Sequence, residues 1–183
     1  MVKERLKVWM DNNPTKRPSK SHGFFFRDGI SESQFKAFKD DEIRQINEAY
    51  QQVKDEDEKA KKTAKANCDS ARDLKLTFVV VGKRHHTRFY AREESQTYQS
   101  TVKSVQILNG NVIPGLLVED IVTNPLPYNV FPQSHKAIKG TARSAHYYVL
   151  LDEMKLGSDE LPNLAMLLCY AYGRSTTGVS YVG

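Results

Sequence analysis

The chain has 183 residues, 39% of them hydrophobic, and carries 27 Lys and Arg against 22 Asp and Glu, a net charge of +5. That length allows one domain with its own core. Nowhere does the sequence hold the roughly 18 consecutive apolar residues of a spanning helix, which argues against a membrane partner. The N-terminus, Met1-Val2-Lys3-Glu4-Arg5, lacks the apolar centre of a secretory signal, so the expected location is intracellular, cytoplasmic with the nucleus open. Cys68 and Cys169 have no partner spacing for zinc and read as structural or incidental thiols.

In chain order, Val2, Leu6 and Trp9 or Met10 fall at helical spacing until Asn12-Asn13-Pro14 breaks the pattern. Phe24-Phe25-Phe26 predicts a short strand stopped by the turn pair Asp28-Gly29. A helix should begin at Ser31, where Ser31 and Gln34 have the spacing of a capping box, with Phe35, Phe38, Ile43, Ile46, Tyr50 and Val53 as its buried stripe. Residues 54–74 turn acidic and then Lys-Ala rich, with no apolar face, and predict a polar insert that is either a solvated helix extension or a mobile loop. The apolar run 76–81 reads as a central parallel strand covered on both faces, which makes strand, helix, strand a βαβ unit. Residues 93–114 are polar and read as a loop. Further strands are expected at Leu116–Val122, Tyr128–Phe131 and Tyr147–Leu151. Ser158 should cap a last helix that buries Leu161, Leu164, Leu167, Leu168 and Ala171, with Asp159 and Glu160 placed well for its dipole.

Two features carry chemistry. Directly after the apolar strand comes Gly82-Lys83-Arg84-His85-His86-Thr87-Arg88-Phe89-Tyr90, a cationic rim whose commonest ligand is a phosphate backbone. A net charge of +5 means only ordinary solubility, and it is the clustering at 83–92 and 136–143 that is informative. In an extended segment His85 points opposite to Arg84 and His86, so it reads as a core or supporting histidine. The second feature is Asp28, at the strand edge where open α/β sheets hold ligands, although an Asp-Gly pair after a strand is more often a turn former. Glu119, Asp120, Asp152 and Glu153 read as solvated strand-end charges. A small hydrolase using Asp28 with His146 finds little support, because no Gly-x-Ser-x-Gly nucleophile motif is present.

The block 83–89, with Phe26-Arg27-Asp28-Gly29-Ile30-Ser31-Glu32-Ser33-Gln34-Phe35, resembles the PIWI domain of eukaryotic Argonaute proteins. So do Ser134-His135-Lys136-Ala137-Ile138-Lys139-Gly140-Thr141-Ala142-Arg143 with His146-Tyr147-Tyr148-Val149-Leu150, and Leu168-Cys169-Tyr170-Ala171-Tyr172-Gly173-Arg174. The resemblance runs from Met1 to about Ser180, leaves out the insert, and implies that residues 1–183 are the C-terminal part of a PIWI domain. The implied fold is α/β and ribonuclease H-like, with a mixed sheet and flanking helices. It implies that Lys83, Arg84, His86 and Arg88, His135 and Arg143, and Tyr172, Arg174 and Ser180 hold phosphates and riboses of a small guide RNA. Asp28 becomes, by the same resemblance, a catalytic ligand of Mg2+ or Mn2+ in an endoribonuclease that cuts guide-paired target RNA during RNA silencing. The family's other metal-site residues, an aspartate, a glutamate and a histidine, belong to segments outside this one. The chain alone is therefore expected to be inactive and to need the remaining Argonaute domains. The alternative is a guide-binding module without catalysis. The resemblance places His146 on a core strand and not at the metal. Leu151 where a tryptophan is usual, Lys136-Ala137 in place of a small-glycine pair, and Thr177 in place of a basic residue depart from the pattern. A long apolar edge at Phe24–Phe26 or Leu76–Val81 is expected to lack a neighbour and to leave the isolated fold marginal.

Overall fold

The computed structural model describes residues 2–12, 22–64, 74–102, 105–123, 128–137, 140–157 and 159–180. Its elements are α1 (Val2–Asn12), β1 (His22–Asp28), α2 (Phe35–Ala64), β2 (Lys75–Gly82), β3 (Thr97–Val102), β4 (Val105–Val112), β5 (Leu116–Val118), β6 (Asn129–Gln133), β7 (His146–Asp152) and α3 (Glu160–Tyr170). Five strands form one sheet in the order β1-β2-β7-β6-β5, and β3 and β4 form a separate antiparallel hairpin. The residues group into two compact units, one of 1–25, 31–78 and 151–154, the other of 26–30, 79–150 and 155–183.

In the first unit the strand-helix-strand reading holds. Gly23 lies against Leu74 and Leu76, and Phe25 stacks on Phe78 at 5.2 Å. Two residues along β1 thus match two along β2, and the strands run parallel. Ser31 and Gln34 do interact: the Gln34 Oε1 accepts from the Ser31 N–H at 3.2 Å and from its hydroxyl at 3.0 Å. They open a short 3-10 turn, Glu32–Gln34, and the α-helix begins one step later at Phe35. Ile46, Tyr50 and Val53 are buried at helical spacing. Of the polar insert, residues 54–64 continue α2, and 65–73 lie outside the described residues, as do Pro14 and Cys68. The helix keeps its polar flank by local ion pairing, Arg44 with Asp41 at 2.6 Å and with Glu48 at 2.8 Å. Lys3 and Lys7 of α1 both reach Glu56, at 2.7 and 2.8 Å.

The second unit is built on Val79, Val81, Val130, Ala145, Tyr147, Leu161 and Ala165, with Phe26 edge-on to Tyr147 at 6.3 Å. Burial of each such side chain contributes roughly 1.5–3 kcal/mol. Strand β2 lies between β1 and β7, so of the two edges expected it is Phe24–Phe26, on β1, that borders the sheet among the described residues, and not Leu76–Val81. Leu76 faces Glu153 through two hydrogen bonds of 2.9 and 3.0 Å, whereas Gly82 sits beside the His146 carbonyl. β2 and β7 therefore run in opposite directions, so β2 is parallel on one side only.

Three other expectations need correction. The polar stretch 93–114 contains the β3–β4 hairpin, with Val102 opposite Val105 and Gln99 opposite Leu108. Backbone pairing sustains it where no alternating apolar face announces it. The strand expected over 116–122 ends at Val118. There the Asp120 carboxylate accepts the Ile121 N–H at 2.7 Å and the Thr123 hydroxyl bonds the Glu119 carbonyl at 2.6 Å, local bonds that compete with a sheet ladder. On α3 the buried residues are Leu161, Pro162, Ala165 and Cys169, while Leu167 is 68% exposed and Ala171 is exposed as well. Ser158 lies outside the described residues; Glu160 accepts the Gly157 N–H at 3.1 Å.

Candidate nucleic-acid interface

Residues 83–89 leave β2 without regular structure, and their alternation sorts the side chains as the sequence suggests. Arg84 and His86 are exposed. His85 turns inward: its Nε2 bonds the Ser144 carbonyl at 2.8 Å, and its ring meets Phe131 edge-on at 5.2 Å. With Nε2–H as the donor there, Nδ1 is left as an acceptor, buried and without a hydrogen-bond partner among the described residues. Phe89 packs on the same Phe131 at 5.3 Å, so the segment is anchored at two points. Arg88 spends its guanidinium on the segment's own backbone, donating to the Thr87 carbonyl at 2.7 Å and the His85 carbonyl at 3.1 Å. It braces the loop.

The second segment is held by buried amides. Gln133, fully buried, donates from Nε2 to the His135 carbonyl at 2.7 Å and accepts from the Ser144 hydroxyl at 2.8 Å. Exposed Arg143 reaches the Lys83 carbonyl at 3.3 Å. Lys136 lies 5.1 Å over the Tyr98 ring and so gives its charge a local partner. Residues 138 and 139 lie outside the described residues.

A third set of bonds attaches the end of the chain. The Ser134 hydroxyl donates to the Val179 carbonyl at 2.5 Å, Tyr170 donates to the Ser134 carbonyl at 2.9 Å, and the Val179 N–H donates to the Cys169 carbonyl at 2.9 Å. The backbone passes so closely that a Cβ on Gly178 would lie 2.6 Å from the Ser134 oxygen. Tyr172 and Arg174 are exposed, and Ser180 is half-buried.

Lys83, His135 and Arg143 influence one another's charge. Lys83 is held below its ordinary range by burial and then by Arg143, against smaller pulls from Cys169 and then Asp28 in the other direction. Burial and then Lys83 lower His135; burial leads again for His85, with Arg88, Arg143 and Lys83 adding to it. Cations gathered so closely disfavour one another's charge, and an anion among them would relieve that. His146 is buried, stacked on Phe131 at 3.8 Å and bonded through Nε2 to Asn129 at 3.1 Å; burial, with His85 second, takes it to about 4. It is a core residue.

Asp28 is exposed at the end of β1, before Gly29 with φ +85. Among the described residues no three His, Cys, Asp or Glu side chains are grouped as a metal ion would require. The chain's own described donors thus do not fit a two-metal centre, and Asp28 stands as one carboxylate. No helix among the described residues is long and apolar enough to cross a membrane. Sequence reading missed Gln133, Ser144, Tyr170, Gly178 and Asn111, buried or closely packed positions for which a single sequence carries no signal.

The Piwi domain family model matches residues 1–182. Rice protein argonaute 1B is 39% identical over 158 residues, 86% of this chain and 12% of its own length, and rice protein argonaute 2 is 34% identical over 180 residues, 98% and 15%. The chain therefore spans about an eighth of the length of such relatives. The C-terminal lobe of a budding yeast Argonaute superposes with a TM-score of 0.77 at 31% identity, covering 98% of this chain and 33% of that one. Kluyveromyces polysporus Argonaute with a guide RNA gives 0.75 at 30%, covering 98% and 20%.

Proposed function

Because the chain belongs to the Piwi domain family, we propose that it is the C-terminal part of a PIWI domain and forms the guide-strand cradle of an intracellular Argonaute that acts in RNA silencing. The family's ribonuclease H-like α/β fold supplies the frame, a mixed sheet with flanking helices. The observation that carries the reading is the reach of Arg143 across to the Lys83 carbonyl at 3.3 Å, which joins the two basic segments beside exposed Arg84 and His86. Such a surface suits the phosphates of a single strand. Hydroxyl and imidazole groups fix its register without reading bases, so any guide sequence is accepted. Tyr172, Arg174 and Ser180 extend it through the bonds that tie Val179 to Ser134. Paired target RNA and the remaining Argonaute domains are the further partners of this reading.

The finer reading, an endoribonuclease that uses Mg2+ or Mn2+, rests on Asp28 alone. Exposed Asp28, outside any group of three metal-ligating side chains among the described residues, favours a second reading for the isolated chain: a guide-binding module without cleavage.

Salt dependence tests the binding. Single-stranded RNA should bind with an affinity that falls steeply with salt and hardly varies with sequence. Lys83→Ala with Arg84→Ala should flatten the slope of log K against log salt by roughly 1.4, about 0.7 for each phosphate that is no longer neutralised. An unchanged slope would remove the first segment from the interface.

A further inference from the structure

We propose that Asn111 is a positioning residue for the basic surface, setting the turn that carries Arg143 against the end of the first basic segment. The inference rests on the guide-binding reading and adds a residue and a structural element to it. Asn111 belongs to β4, in the hairpin that stands outside the five-stranded sheet, yet it is only 2% exposed. Its side chain brackets the turn: Nδ2 donates to the Gly140 carbonyl at 2.8 Å, and Oδ1 accepts the Ala142 N–H at 2.6 Å. Its backbone meanwhile bridges Tyr90 in antiparallel fashion, two residues beyond Arg88. One residue therefore touches both basic segments.

The chemistry is specific to a carboxamide. Donor and acceptor lie in one plane about 2 Å apart, which lets a single group satisfy a carbonyl and an N–H two residues away. Gly140 adopts φ +73, a conformation that glycine takes without strain and that turns the chain back toward Asn111. One residue past the bracketed N–H comes Arg143, whose guanidinium reaches the Lys83 carbonyl at 3.3 Å. Fixing Ala142 thus limits where Arg143 can go. An aspartate of the same shape would still accept from Ala142 but would set a carboxylate against the Gly140 oxygen.

The test is a double-mutant cycle on the full 183-residue chain, with Asn111→Asp, Arg143→Ala and the combination, read as affinity for a labelled single-stranded RNA beside a thermal melt. Asn111→Asp should weaken binding about fivefold when Arg143 is present and leave it unchanged in the Arg143→Ala background, because residues that act through one another do not add. Independent, additive losses would overturn the inference and leave the guide-binding reading standing. An unchanged affinity in Arg143→Ala would overturn the inference, whereas wild type that binds no single-stranded RNA would overturn the guide-binding reading. Asn111→Ser, which cannot span both groups, should reproduce the loss. Should both Asn111 variants melt below the assay temperature, Asn111 is a core residue and the assignment fails.

Discussion

The two units treat charge in opposite ways. In the first, the flank of α2 neutralises itself: Arg44 sits between Asp41 and Glu48, and Lys3 and Lys7 share Glu56, whose carboxyl those two bonds hold down to about 2. In the second, Arg88 and Arg143 are aimed at backbone carbonyls, and Lys83 is held below its ordinary range by burial first and by Arg143 second. Charge that is cancelled locally gives solubility. Charge that is gathered and braced gives a place for an anion.

The comparison can be broken most forcefully at the brace. Gly178→Ala should destabilise the protein by about 2–3 kcal/mol, because a Cβ at 2.6 Å from a backbone oxygen can be accommodated only by moving the segment that carries Arg174. A melt unchanged from wild type would show that the close approach does not matter. Next comes acidity. His146 is neutral in the folded state with its pKa lowered to about 4, against an ordinary 6.5, so the unfolded chain takes up the proton first. Stability is full above about 6.5 and falls as the pH drops from there to about 4, by about 2 kcal/mol once solvent screening is allowed for. His85, lowered by burial and the neighbouring cations, adds to the fall with the same sign. Thermal melts of wild type and His146→Gln between pH 7 and 4 check this: the variant should keep the smaller slope.

A milder change sharpens the same contrast. Tyr170→Phe deletes the hydroxyl that bonds the Ser134 carbonyl and should lower stability by about 1 kcal/mol while weakening RNA binding through the 174–180 segment alone. Equal salt slopes with stronger binding than wild type would contradict it. The smallest effect belongs to the first unit. Arg44→Ala removes a fully exposed, locally paired charge and should leave RNA affinity, salt slope and melting temperature unchanged. A flattened salt slope there would place α2 on the RNA and dissolve the distinction between the units.

Much of the fold was legible from local pattern. The phenylalanine strand before Asp28-Gly29, the stripe Ile46, Tyr50 and Val53, and the run 76–81 all carry the period or composition of their element. Alternation alone turned His85 inward and left Arg84 and His86 exposed. The hairpin β3–β4 was illegible because its strands are polar, and α3 was read with Leu167 inward because several leucines compete for one face and only packing chooses among them.

The sequence by itself determined the cations, their clustering in two runs, the glycines where the backbone turns, and the family signature that orders them. It could do so because each is a property of neighbours along the chain. Only the tertiary structure decided which cations meet. Lys83 and Arg143 lie 60 residues apart, and around their approach Gln133 bonds Ser144, Ser144 receives His85, and Asn111 brackets Gly140 and Ala142. These are contacts between buried polar groups remote in sequence. Buried amides and hydroxyls need partners wherever they lie, and no periodicity says which ones they will find.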